Sequence, residues 1–182
     1  MMPRLLTTSA IAIVVALALG GCVTTTTEEG VRTVDEQQSS TDVRVDGSTW
    51  SAAFPGEVTQ SQQPFPVDGI GELTADLTVW ETDTEAMLVQ VVALPEGDGE
   101  AAANLLQTGA SLGSVVAGSP LLDGDGTFRG LPAVVVEADQ DGALLELLAF
   151  VDDTTLYQLI HVKSDPGAAD RLPALAASFE LR

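Results

Sequence analysis

The chain has 182 residues, of which 27 are acidic and 7 basic, for a formal net charge of -20. A surface this acidic is repelled by nucleic acid and by anionic headgroups, so nucleic acid is excluded as a partner, while cations and basic proteins are attracted. One cysteine cannot close an internal disulfide, and one cysteine with one histidine leaves no Cys/His cluster for a transition metal.

Met1–Arg4 forms a short positive start, and Ala10–Leu19 (AIAIVVALAL) is an unbroken apolar run. Roughly ten apolar residues suit the core of a signal peptide, whereas a membrane-spanning helix needs about 20. Leu19-Gly20-Gly21-Cys22 follows at once. This resembles the bacterial lipobox: a branched apolar residue, two small residues that a peptidase can accommodate, and a cysteine whose thiol accepts a diacylglyceryl group. The expectation is a precursor with a signal peptide over 1–21, cut before Cys22. Palmitate-type chains on Cys22 would hold it extracytoplasmically on the outer face of the cell membrane. Each buried methylene contributes about 0.8 kcal/mol, and a stable anchor takes two chains.

Residues 22–48 (CVTTTTEEGVRTVDEQQSSTDVRVDGS) are rich in Thr, Ser and Glu, with no aromatic residue and no sustained apolar period. Such a stretch is expected to remain a flexible tether with a root-mean-square reach of roughly 25–30 Å.

From Trp50 the pattern changes to short strands punctuated by turn residues. Ser48–Phe54 is an extended piece ended by Pro55-Gly56, and Glu57–Gln62 is another, broken by Pro64-Phe65-Pro66. Glu72–Glu81 alternates Leu73, Ala75, Leu77 and Val79 with Glu72, Thr74, Asp76, Thr78 and Trp80, which predicts a half-exposed strand. Met87–Leu94 is apolar on both faces, as in a central strand. Over Glu100–Leu112 the period becomes helical through Ala102, Leu105, Leu106, Gly109 and Leu112, with Asp98 or Gly99 as the cap. Gly109 predicts a close approach of helix to sheet. Strands follow at Ala133–Ala138, Ala143–Val151 and Thr155–Lys163, the last two joined by a tight hairpin at Asp152-Asp153-Thr154. Asp170 is placed to cap a short helix through Ala177, with Pro173 in its first turn and Phe179 and Leu181 closing the chain. The order predicts an α+β domain over 49–182, an antiparallel sheet flanked by helices.

A series of short motifs runs through this domain: Trp50–Gly56 (WSAAFPG), Gly71–Thr74 (GELT), Gly130–Ala133 (GLPA), Leu156–Leu159 (LYQL) and Ser178–Leu181 (SFEL). Together they resemble the PsbP-like fold group, in particular its small bacterial secreted and lipoprotein members. The resemblance implies an αβα sandwich and partner-binding rather than catalysis. It transfers no site residue, because the matching positions are turn and core residues.

The candidate chemistry is sparse. His161, on the strand Thr155–Lys163, shares a face with Tyr157, Leu159 and Lys163. It is expected at the surface or the sheet end, since a general base needs a nucleophile and an orienting acid that the spacing does not reveal. Asp123-Gly124-Asp125-Gly126-Thr127 hints at a weak cation loop, but the twelfth position is Val134 rather than a glutamate, so a plain turn is expected. Glu137, Asp139, Asp141 and Glu146 are expected to be solvated. No catalytic residue, metal ligand or cofactor is assigned, and an enzyme is not expected. What remains is a non-enzymatic module that binds or supports an envelope protein. Its rival is a carrier or sensor holding a small apolar or cationic ligand between sheet and helix. A flat exposed patch around Trp80 or Phe65 would favour the first, and an enclosed apolar pocket the second.

Overall fold

The computed structural model describes residues 42–67, 70–95, 99–111 and 113–182. The expected signal peptide, the expected lipobox residues Leu19, Gly20 and Gly21, Cys22 and residues 23–41 of the expected tether lie outside the described residues. In chain order the elements are β1 (Val43–Asp46), β2 (Trp50–Phe54), β3 (Thr59–Val67), β4 (Gly71–Glu81) and β5 (Glu85–Ala93). Helix α1 (Gly99–Ser111) comes next, followed by β6 (Ser114–Val115), β7 (Thr127–Phe128), β8 (Leu131–Gln140), β9 (Ala143–Asp152) and β10 (Thr155–Lys163). Helix α2 (Leu172–Ser178) and β11 (Glu180–Leu181) close the chain.

Antiparallel sheet dominates. The large sheet runs β3-β4-β5-β10-β9-β8-β6, with β7 paired to β8, and a small sheet runs β1-β2-β11. Two three-strand meanders, β3-β4-β5 and β8-β9-β10, thus meet side by side where β5 pairs with β10 from Glu85↔Lys163 to Ala93↔Thr155. Strand β5 is buried along all but its last residue and no residue of β10 is exposed, as the middle of a sheet covered on both faces requires. The β8–β9 turn uses Asp141 and Gly142 at φ 56 and 85, the left-handed pair that a two-residue hairpin requires.

Each face of the large sheet has its own cover. Met87, Val89 and Val91 of β5, Leu148 and Phe150 of β9, and Tyr157 and Leu159 of β10 pack against Trp50, Ala52 and Phe54 of the small sheet and Leu172, Leu175 and Phe179 around α2. At its centre Phe179 stands edge-on to Phe150 and Tyr157 and stacks on Trp50 at 5.8 Å. On the opposite face Leu105 and Leu106 of α1 pack over Val92, Val151 and Leu156 and beside Val136, Leu147 and Val162.

Several expectations are corrected. The end of the tether is ordered: Val43–Asp46 pairs with β2 from Val43↔Phe54 to Asp46↔Ser51, so the domain begins earlier than 49. Partners distant in sequence supply what the local composition lacks, since Val45 packs on the core and Arg44 bonds Ser51 and Glu180. Strand β3 runs through Pro64 and Pro66 instead of breaking there, because it is an edge strand whose sole neighbour is β4 and proline's missing N–H is tolerated on an edge. Strand β4 is not half-exposed at its end, where Thr78 and Trp80 are buried on the second face. Arg171, not Asp170, stands at the N-cap of α2, and it makes no side-chain capping bond. The tight approach lies at Gly113, where an added Cβ would fall 2.2 Å from the Glu137 carbonyl oxygen, whereas one at Gly109 would meet Leu147 at an ordinary 3.9 Å.

Candidate functional site: a histidine buried among carboxylates

Strand β10 is flanked by β5 and β9, and its register sets Met87 and Glu146 beside His161 and Glu85 beside Lys163. All of these except Met87 are polar, at the end of a face that is otherwise apolar. The cover at that end is the segment leading into α2, which carries Asp170 and Arg171. His161 is completely buried, and so, nearly, are Glu85 and Glu146 at 8% exposure each. The expectation of a surface histidine and a solvated Glu146 is therefore overturned. The reason is the α2 segment, which returns across the sheet from a distance that strand periodicity does not register.

His161 Nδ1 lies 2.9 Å from Glu146 Oε2, a hydrogen bond in which the ring N–H donates to the carboxylate. That bond fixes a proton on Nδ1 and orients the ring. On the other side Nε2 lies 3.6 Å from Glu85 Oε2, too far for a hydrogen bond. It is buried and makes no hydrogen bond among the described residues. Glu85 is held in turn by Arg171, whose Nε reaches its two oxygens at 3.0 and 3.1 Å, and Arg171 lies over the Trp80 ring at 5.3 Å. The Lys163 ammonium stands 3.7 Å from Glu146 Oε2. His161 thus lies between two carboxylates, each of which meets a cation on its far side, Arg171 beside Glu85 and Lys163 beside Glu146. The carboxylate of exposed Asp170 completes a group with Glu146 and His161 whose ligand-type atoms lie within 4.8 Å of one another.

The remaining candidates are placed as follows. Glu137, Asp139 and Asp141 are exposed, as expected. In the Asp123–Thr127 turn the Asp125 carboxylate accepts hydrogen bonds from the Thr127 hydroxyl at 2.7 Å and the Thr127 N–H at 3.2 Å. These bonds, the hydroxyl first, hold the Asp125 carboxyl below its usual range. The Asp123 carboxylate lies 3.4 Å from both the Thr127 hydroxyl and the Gly130 N–H, so both acids serve the turn. Trp80 and Phe65 are buried at 7% and 6% exposure and offer no docking patch.

A second feature lies at the margin of the small sheet. The face of the large sheet that is apolar in β5, β9 and β10 becomes polar in β3 and β4, where Gln60, Gln62, Asp76 and Thr78 project. The β1–β2 turn (Asp46–Ser48) rises beside this shelf, and between them is a partly open cleft of about 510 Å³. Gln62 donates to Asp76 at 2.7 Å on its floor. Sequence reading missed both features. The alternation Gln60, Gln62 along β3 was a signal for the shelf, but nothing local indicated what would stand above it.

No family model matches this chain, and no curated protein is significantly similar to it.

Proposed function

We propose that the chain is the precursor of a lipid-anchored extracytoplasmic protein whose domain acts as a non-enzymatic interaction or support module of the cell envelope. The anchor reading rests on Leu19-Gly20-Gly21-Cys22 behind the apolar run. Cys22→Ser should abolish lipid labelling and membrane retention, and a mutant that stayed lipidated would refute the anchor.

For the module, the observation that carries most weight is the cleft. It is concave and polar, and the described residues lining it include Asp46 and Asp76 but no lysine or arginine. With a net charge of -20 behind it, this surface suits a polar or basic segment of a neighbouring envelope protein. The docking test is a photo-cross-linker at Gln60 in the native, lipidated protein, followed by mass spectrometry. One reproducible protein partner, lost in Gln62→Arg and unaffected by shortening the tether, would support docking at the cleft. Capture that ignores Gln62→Arg would rule it out.

The carrier reading has one observation in its favour. Gln90, on the α1-facing side of β5, is buried, and its Nε2 finds no hydrogen-bond partner among the described residues. A ligand carbonyl or hydroxyl beneath α1 would satisfy it. A small molecule seen by native mass spectrometry, and lost in Gln90→Leu, would move the assignment to a carrier.

The PsbP-like αβα arrangement belongs to the same proposal. Its support is the placement of α1 on one face of the large sheet and α2 with the small sheet on the other. A superposition on a PsbP-fold structure that paired the helices in a different order would remove it.

A further inference from the structure

We infer that the outer edge of β3 takes an extended basic segment of a partner protein as a further strand of the large sheet, a form of docking that rests on the reading of the cleft proposed above. Among the described residues the large sheet ends on one side in β6, a strand of 2 residues, and on the other in β3, a strand of 9 residues with β4 as its sole neighbour. An open edge presents unpaired N–H and C=O groups to any extended chain, and proteins blunt such edges with charge or proline. From Thr59 to Val67 β3 carries no charged residue, and its prolines, Pro64 and Pro66, lie only in the second half. The first half, Thr59–Gln62, is exposed throughout.

Register decides which backbone groups face outward. In an antiparallel ladder, residues direct their N–H and C=O alternately to one neighbouring strand and to the other. Thr82 donates to the Glu85 carbonyl at 2.8 Å, one step beyond the pair Glu81↔Ala86. The even-numbered residues of β4 therefore bond β5, and the odd-numbered ones bond β3. Their partners in β3 are odd as well, from Thr59↔Val79 to Val67↔Gly71, which turns Gln60, Gln62, Pro64 and Pro66 outward. The prolines agree, since a missing N–H costs little on the solvent side of an edge. The open line thus presents the carbonyls of all these residues but N–H groups only at Gln60 and Gln62, in the half that borders the cleft.

Charge selects the occupant. The same residues of β3 place their side chains on the face that carries Thr78, Asp76, Thr74 and Glu72 of β4 opposite them. A strand added outside β3 sends every second side chain to that face. Asp76 and Glu72 are both exposed there, and no lysine or arginine is among the described residues lining the cleft. Gln62 donates to Asp76 Oδ1 at 2.7 Å, and an ionised carboxylate accepts further donors beside that one. Asp46 is paired with Arg182, so Asp76 and Glu72 supply the charge that a partner meets. Lysine or arginine at alternate positions of the added strand reaches these acids while its backbone pairs with Gln60 and Gln62. Main-chain bonds then give affinity and the alternate side chains specificity. A second copy of this chain suits the edge less well, because it brings its own net charge of -20 and an uncharged β3.

The probe is a short capped peptide that alternates threonine and lysine. It is titrated into the full chain, labelled with nitrogen-15 and kept in detergent, and amide hydrogen exchange is followed by NMR. Bound peptide should slow exchange at Gln60 and Gln62 at least about tenfold and leave Ser61, which pairs with Leu77 of β4, unchanged. Gln62→Pro removes an outward donor without altering charge and should weaken binding about three- to tenfold. Shifts at Asp76 and Thr78 without protection at Gln60 and Gln62 would overturn strand addition and leave docking in the cleft standing. An absence of saturable shifts up to millimolar peptide would also overturn it, and cross-linking at Gln60 then judges the cleft separately. Protection that grows with protein concentration in the absence of peptide would assign the edge to a second copy and refute the basic partner.

Discussion

His161 and Glu146 face each other across neighbouring strands with Nδ1 and Oε2 2.9 Å apart, 15 residues apart in sequence and buried together under the segment that enters α2. Neither residue suits a core alone. Their hydrogen bond satisfies the Nδ1 side of the ring, and Glu85 and Lys163 flank the pair at 3.6 and 3.7 Å.

Removing one partner strands the other. Glu146→Ala leaves a buried ring N–H without its acceptor and should cost about 3 kcal/mol of stability. The double change Glu146→Leu with His161→Phe should cost clearly less than the sum of the single changes. Urea unfolding followed by tryptophan fluorescence measures all three. Additive losses would mean that the pair is not coupled.

Arg129 links a hairpin to the end of a helix. It sits at φ 54 in the β7–β8 turn, its ring-side guanidinium lies over Phe128, and it donates to the carbonyls of Phe179, Ala176 and Ala177. These are the carbonyls that a short helix leaves unpaired at its C-terminus. Arg129→Ala should destabilise by about 2 kcal/mol, and Arg129→Lys should recover little of it, because an ammonium cannot span three acceptors with the geometry of a planar fork. Thermal unfolding of both variants is the measurement.

Two glycines near the end of α1 should respond oppositely to alanine. At Gly113 the new methyl meets the Glu137 carbonyl oxygen at 2.2 Å, and the strain should cost about 1–3 kcal/mol. At Gly109 the methyl finds ordinary contact with Leu147, so the better helix propensity of alanine should stabilise by about 0.5–1 kcal/mol. Paired denaturant melts decide it, and equal signs would contradict the packing described.

Asp125 predicts an acid limb. Its carboxyl is held below its ordinary value of 3.8, chiefly by the Thr127 hydroxyl, so the folded turn prefers the charged form. The resulting stabilisation is present above the unfolded value and fades as pH falls through the folded one. Thr127→Val should move the Asp125 titration midpoint upward in carbon-detected NMR. An unchanged midpoint would show that the hydroxyl is not the cause.

Much of the sheet was legible because alternation is a local property. The strand at Glu72–Glu81, the largely apolar Met87–Leu94 and the hairpin across Asp152-Asp153-Thr154 all correspond to strands or turns of the large sheet. Errors came where a distant segment covers or pairs with a stretch of unremarkable composition. Val43–Asp46 looks like tether until β2 lies beside it, Pro64 and Pro66 look like breakers until β3 is seen to be an edge, and Trp80 looks half-exposed until Arg171 covers its ring.

The sequence by itself determined the acidic character, the Leu-Gly-Gly-Cys motif behind its apolar run, and the antiparallel strands of the domain, because charge, short motifs and a period of two residues are all written locally; that sheet dominates over helix is a result of the structure. Only the tertiary structure decided which polar groups share a site. Glu85, Glu146, His161 and Asp170 come from four separate places in the chain, brought together by strand register and by the return of the α2 segment across the sheet. No local pattern encodes that meeting, since it depends on pairings between residues as far apart as Glu85 and Arg171. The same return of the chain turned a lone histidine, unremarkable in the sequence, into a completely buried side chain.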